Sequence, residues 1–243
     1  MEGFLFLGFV IGMAHALEAD HVAAVGAMAT GRNTPKSLAL RGAAWGLGHT
    51  ITLFAICSAA ILFGFVLTDQ AAAALEFAVG IMLVVLGLDV IRRMRAARVH
   101  FHVHDHGDGR PHVHAHSHHG AKVSHASDPH DHSHHHAFPL KALGVGLIHG
   151  AAGSAGLLAL AVAASKDAWL AVGYVALFGI GSILGMAALS FVAAWPLGAA
   201  ERSATWLHRG VQLTAAVVAI GLGVHVMMET GHAALGTALT GAL

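Results

Sequence analysis

The chain has 243 residues, of which 56% are hydrophobic and only 11% charged. An ordinary soluble domain carries about 25% charged residues, so this composition argues against a water-soluble enzyme and against overall disorder. Lys+Arg and Asp+Glu both number 13, which leaves no basic excess for a nucleic-acid partner. The single cysteine, Cys57, rules out an internal disulfide framework and a Cys-rich zinc site.

A membrane-crossing helix needs about 20 mostly apolar residues. Six stretches meet that need, at about 4–28, 43–67, 74–94, 140–164, 168–197 and 206–229. The expected fold class is therefore all-α: a polytopic membrane protein with about six transmembrane helices. The first stretch is not a secretory signal, because only Glu2 precedes it and no basic residue does.

Ionisable residues interrupt that first stretch. His15-Ala-Leu-Glu18-Ala-Asp20-His21 places four of them within seven positions, with apolar sequence on both sides. Charged groups inside a bilayer cost a few kcal/mol each even on lenient scales, so they signal function. On an ideal helix His15, Glu18 and His21 fall within about 120° of arc and face one site. Asp20 lies roughly 140° from His15 and joins them only if the helix is distorted or another span reaches it. Imidazole with carboxylate suits Ni(II), Co(II) or Zn(II), and the lack of thiolates argues against Cu(I). A helix end in water and a proton relay are the two other readings of this cluster.

The second stretch adds His49 within Trp45-Gly-Leu-Gly-His49-Thr50, as a ligand, a supporting contact or a hydrogen-bonded core residue. After the third stretch, residues 100–136 hold fifteen of the 22 histidines among Gly, Ser, Asp and Pro. That composition cannot bury a core and is read as a disordered metal-binding tract. The fourth stretch carries His149 within Gly146-Leu-Ile-His149-Gly150, a further candidate for the site, and Ser154 could supply an oxygen. Asp89, His208 and His225 read as interface residues, and the methionines as packing.

Basic residues set the orientation. Twelve lie in the loops after spans 1, 3 and 5, against Lys166 alone on the other side. The positive-inside rule then puts both termini outside and the His-rich loop in the cytoplasm. The two halves also resemble one another. Gly12-Met-Ala-His15 matches Gly146-Leu-Ile-His149, Trp45-Gly-Leu-Gly-His49 matches Phe178-Gly-Ile-Gly-Ser182, and Gly87-Leu-Asp89 matches Gly223-Val-His225. Three spans per copy make the repeats inverted, a transporter architecture with its site near the midplane. The expected organisation is a first three-helix repeat over 1–99, the His-rich loop over 100–137 and a second repeat over 138–243.

At these residues the chain resembles a known family. His15-Ala-Leu-Glu18-Ala-Asp20-His21-Val22 resembles the motif H-A-x-D-A-D-H-I of the nickel/cobalt transporters, and Leu47-Gly48-His49-Thr50 resembles their L-G-H-[ST]. Glu18 stands where the motif has Asp and Val22 where it has Ile. The second half lacks the acidic motif of the eight-span importers. The chain is thus closer to the shorter permeases, the urease-accessory permeases and the nickel/cobalt efflux proteins with His-rich loops. The resemblance implies a helical permease that moves Ni(II) or Co(II), with His15, Glu18, Asp20, His21 and His49 as metal-handling residues. Uptake and efflux both fit, and so does a metal accessory or sensor protein that does not transport.

An enzyme is not expected. An intramembrane metalloprotease would need H-E-x-x-H, whereas His15 and His21 are six residues apart. No G-x-x-x-x-G-K-[ST] motif is present, so transport would draw on an ion gradient or a partner. Metal binding needs deprotonated ligands and releases protons, so proton exchange at the histidines is one hypothesis for the coupling, and the sequence leaves the coupling ion open. No prosthetic group is expected. The anticipated partners are the lipid bilayer, the metal ion as cargo, and cytoplasmic metallochaperones or the maturation proteins of urease or hydrogenase.

Overall fold

A computed structural model describes residues 2–29, 34–64, 67–96, 99–104, 112–117, 139–153, 157, 161, 167–203 and 205–235. Its elements in chain order are α1 (Glu2–His15), α2 (Ala19–Met28), α3 (Pro35–Phe63), α4 (Asp69–Ala96), β1 (Val99–His104), β2 (His112–Ser117), α5 (Leu140–Ala152), α6 (Ala168–Ser203) and α7 (Thr205–Leu235).

Local sequence explains where the long helices begin and end. Thr34 caps α3 by accepting the Ser37 backbone N–H at 3.2 Å, and Pro35 takes the first helical position, where no N–H is needed. Gly64 ends α3 in the left-handed region at φ 67, where a side chain would be strained. Thr68 caps α4, which carries Asp69 in its first turn and Arg93 and Arg95 in its last, complementing the helix dipole. Asp167 starts α6 by accepting the backbone N–H groups of Trp169 and Leu170 at 2.9 and 3.3 Å.

Among the described residues, four helices are long and apolar enough to cross a membrane: α3, α4, most of α6 and most of α7. Their outer faces carry exposed apolar side chains such as Val85, Ile180 and Val217, as surfaces turned to lipid do.

Three sequence expectations change here. The first stretch is not one helix: α1 and α2 meet at a 53° bend after His15 and together count as a fifth crossing. The fourth expected span begins as the 13-residue helix α5, and most of 154–164 lies outside the described residues. Six crossings are therefore an expectation that the described residues neither complete nor exclude. Within the tract read as disordered, β1 and β2 pair antiparallel, with His100 opposite His116, His102 opposite His114 and His104 opposite His112. The physical reason is strict alternation of His with Val, Phe and Ala, the period of a strand, which composition alone conceals.

Packing is close because glycines face backbone. A Cβ on Gly12 would run into the Phe178 carbonyl, and one on Gly181 into that of Phe9, so α1 and α6 lie parallel at contact distance. Gly48 and Gly146 do the same between α3 and α5, against Leu143 and Trp45. α3 runs antiparallel to α6, where Thr50 Oγ1–H donates to the Gly179 carbonyl at 3.0 Å. α4 runs antiparallel to α7, with Gly80 and Gly223 facing each other's carbonyls. Without a hydrophobic drive between helices in lipid, small residues that admit such contact hold a bundle together. The main core cluster, around Trp45, Leu83 and Met186, packs beside the bend between α1 and α2.

Candidate metal centre

The bend creates the site. His15 is the last residue of α1, and Glu18 occupies the N-cap position of α2 in extended conformation. Between them the chain makes a tight turn, with Leu17 N–H on the Ala14 carbonyl at 2.9 Å and Glu18 N–H on His15 at 3.1 Å. Broken helices are tolerated at membrane depth where they line a protein-enclosed site. Asp20 sits in the first turn of α2, where the helix dipole favours a negative charge.

Four imidazoles gather at this bend. His21 and His49 are each 1% exposed, His149 2%, and the His15 side chain 11%. Their rings stand close: His15 to His21 4.5 Å between centroids, His15 to His49 5.3 Å, His21 to His49 5.3 Å and His21 to His149 4.3 Å. His15 Nε2 and His49 Nε2 are 3.3 Å apart.

Two carboxylates tie these rings down. Asp20 Oδ1 accepts both the backbone N–H and the Nδ1–H of His21, at 2.8 and 2.9 Å. Its Oδ2 accepts from His149 Nε2 at 2.8 Å. Glu18 Oε1 accepts from His15 Nδ1 at 2.6 Å, with the Glu18 side chain 56% exposed.

Two overlapping groups of donors could each hold an ion, with their ligand atoms within 4.8 Å of one another: His15, His21 and His49, and Asp20, His21 and His149. His21 belongs to both. Glu18 belongs to neither and reaches the cluster through His15. In addition, His21 Nε2, His49 Nδ1, His149 Nδ1 and Trp45 Nε1 are buried without a hydrogen-bond partner. Buried polar atoms left unpaired are costly, so a cluster of them calls for a reason. Imidazole nitrogens beside a carboxylate are the donor set of a borderline divalent ion.

Of the residues singled out in the sequence, His15, Asp20, His21, His49 and His149 come together, drawn from α1, α2, α3 and α5. Asp20 joins because the bend resets the helix phase. Asp89 pairs with Arg93 and His225 with Glu229, on exposed surfaces away from the cluster. Ser154, His208 and the whole His tract lie outside the residues whose side chains are described.

Three contributors carry no ionisable group and were not singled out as site residues. Trp45 lies 5.3 Å from His21 and 5.7 Å from His149 between centroids, and Phe178 lies 5.2 Å from His15. A Cβ on Gly153 would stand about 4 Å from the rings of His15 and His49, so the missing side chain keeps space open there. The one signal for Trp45 and Phe178 was their matching place in the two internal repeats.

No known family profile matches the chain, and no solved structure does. The urease accessory protein UreH of Bacillus sp. (strain TB-90) is 31% identical to it over 228 residues, which span 93% of this chain and 91% of that protein. The similarity therefore covers nearly the full length of both. Together with the apolar helices, it makes this chain an integral membrane protein.

Proposed function

The chain belongs to the family of the urease accessory protein UreH, and so to the nickel/cobalt transporter superfamily that its first motif resembles; from that premise we propose that it carries Ni(II), with Co(II) as the alternative cargo, across the membrane through the cluster at the α1–α2 bend. The observation that carries this reading is the convergence of four buried or nearly buried imidazoles from separate helices on a broken membrane helix. Such a break with ligands at its ends is how transporters build midplane ion sites.

The glycine contacts support the inverted-repeat organisation over 1–99 and 138–243. With His15 set equivalent to His149, the contact of Gly12 with the Phe178 carbonyl becomes that of Gly146 with Trp45. The contact of Gly181 with Phe9 becomes that of Gly48 with Leu143. The neighbours His15–Phe178 and His149–Trp45 exchange in the same way. A two-fold axis in the membrane plane would relate the halves, with the imidazoles beside it. Six crossings, both termini outside and the His tract in the cytoplasm follow from the same reading and from the basic-residue bias.

The relative's name connects it with urease, so we infer uptake, with the cytoplasmic His tract receiving the ion for urease maturation. Export through the same ligands is the rival. Nickel accumulation in cells lacking their own nickel systems decides, comparing the natural chain with His21→Ala and with a form lacking residues 100–136. Raised accumulation that His21→Ala abolishes establishes uptake through this site. Lowered accumulation that His21→Ala restores means export. No difference for nickel or cobalt removes the transport reading and leaves an accessory or sensor role.

A further inference from the structure

The hydrogen bonds divide the cluster into groups that bind the ion and groups that aim them. A carboxylate only accepts hydrogen bonds, so each ring nitrogen it holds carries the proton. A neutral imidazole has one N–H, and its lone pair is then on the other nitrogen. Asp20 Oδ1 holds His21 Nδ1–H at 2.9 Å, which leaves the His21 lone pair on Nε2. That Nε2 is buried with no partner. Glu18 Oε1 holds His15 Nδ1–H at 2.6 Å, which leaves the His15 lone pair on Nε2, beside His49 Nε2. Without an ion the His15 lone pair accepts His49 Nε2–H at 3.3 Å, so His49 moves its proton to Nδ1 when the donor group His15, His21 and His49 takes the ion.

We propose that the ion rests on the Nε2 atoms of His15, His21 and His49, and that Glu18 and Asp20 are positioning residues that fix the tautomers of His15 and His21 without touching the metal. This rests on the reading of the cluster as the ion path. In the competing group, Asp20 with His21 and His149, both Asp20 oxygens already accept ring N–H groups, so an ion there would have to share them with the two rings. His149 enters by holding the second oxygen of Asp20, so a residue of the second half fixes the direction of a carboxylate in the first. A resting site of three neutral nitrogens leaves open coordination positions, which suits an ion that must be released. His49 has no carboxylate partner among the described residues, and its ring is the one left to adapt as the ion enters and leaves.

The test uses the full chain, purified and in proteoliposomes, with Ni(II) for transport and Co(II) as the optical probe. The His tract binds cobalt equally in every variant, so difference spectra against His21→Ala cancel its contribution. Asp20→Asn can accept through one oxygen only and loses one of its two ring partners; Glu18→Gln weakens the hold on His15 independently. Both are expected to raise the KM for nickel about ten- to a hundred-fold, the usual effect of losing a group that orients a metal ligand. At saturating cobalt their ligand-field bands should keep the natural positions, and Asp20→Glu should recover part of the KM. A band shift at saturation in Asp20→Asn or Glu18→Gln would make that carboxylate a ligand and overturn the proposal. So would loss of the His21-dependent band in a variant whose melting curve is unchanged. If Asp20→Asn does not fold, Glu18→Gln carries the same test. Nickel transport unimpaired in His21→Ala would instead sink the ion-path reading itself.

Discussion

His149 donates from Nε2 to Asp20 Oδ2 at 2.8 Å, joining positions 129 residues apart in the chain. His149 is buried, at 3% side-chain exposure, and Asp20 is partly buried, at 32%. A carboxylate at this depth is tolerable because three N–H groups converge on its two oxygens. The bond also makes the cluster depend on both halves of the chain being correctly packed.

His149→Ala should therefore weaken transport without abolishing it. Asp20 would keep its bonds to His21 but lose the group that fixes its second oxygen. A loss of about ten- to a hundred-fold in apparent affinity is expected, against complete loss in His21→Ala. The KM for nickel in proteoliposomes containing each variant is the measurement. Abolition by His149→Ala in a folded protein would make His149 a ligand of the resting ion.

The paired glycines predict a stability pattern. Gly12→Ala and Gly146→Ala each drive a methyl group into a carbonyl on the neighbouring helix, at Phe178 and Trp45. Each should cost about 1–3 kcal/mol, the usual range for overpacking. Gly144, with nothing near its missing Cβ, is the internal control. Gly144→Ala should be neutral or slightly stabilising, since Ala favours a helix over Gly by about 1 kcal/mol. Thermal unfolding in detergent, followed by helical circular dichroism, would rank the three. Equal stability for all of them would mean that the α1–α6 and α3–α5 contacts are not as close as described.

Thiol labelling checks the orientation. Cys57 is fully buried, so in Cys57→Ala a new cysteine reports alone. A cysteine at Ala126 should react with a membrane-impermeant maleimide only after cells are permeabilised. One at Asp69, at the start of α4, should react in intact cells. The reverse pattern would invert the topology.

Removing residues 100–136 should leave His21-dependent transport in place, because among the described residues the clustered imidazoles come from α1, α2, α3 and α5. The metal bound per chain at equilibrium should fall in the deletion form, since fifteen histidines go with it. Equilibrium dialysis with Ni(II), alongside initial transport rates, separates the two effects. Transport lost together with the tract would mean that the ion must pass through it.

How much of this was legible in the sequence follows from the range of the forces involved. Apolar runs of sufficient length announce membrane helices because each segment must satisfy its own backbone in lipid, a local requirement. His15, Glu18, Asp20, His21, His49 and His149 stood out because an ionisable residue among apolar ones is costly wherever the chain goes. The alternation of His with apolar residues at 99–104 and 112–117 was also there to be read, but composition pointed to disorder.

What the sequence by itself determined was a helical membrane protein and the ionisable residues that the structure gathers at the α1–α2 bend. The tertiary structure decided which of them touch, and through which atoms. An unbroken first helix would turn Asp20 roughly 140° away from His15; the bend after His15 re-aims Asp20 and His21 together, with Asp20 within reach of His149. The same bend leaves Glu18 holding one nitrogen of His15 and outside both donor groups. Those roles depend on glycines that let α5 come up against α3, and on hydrogen bonds between positions far apart in the chain. Helix period carries no information about either.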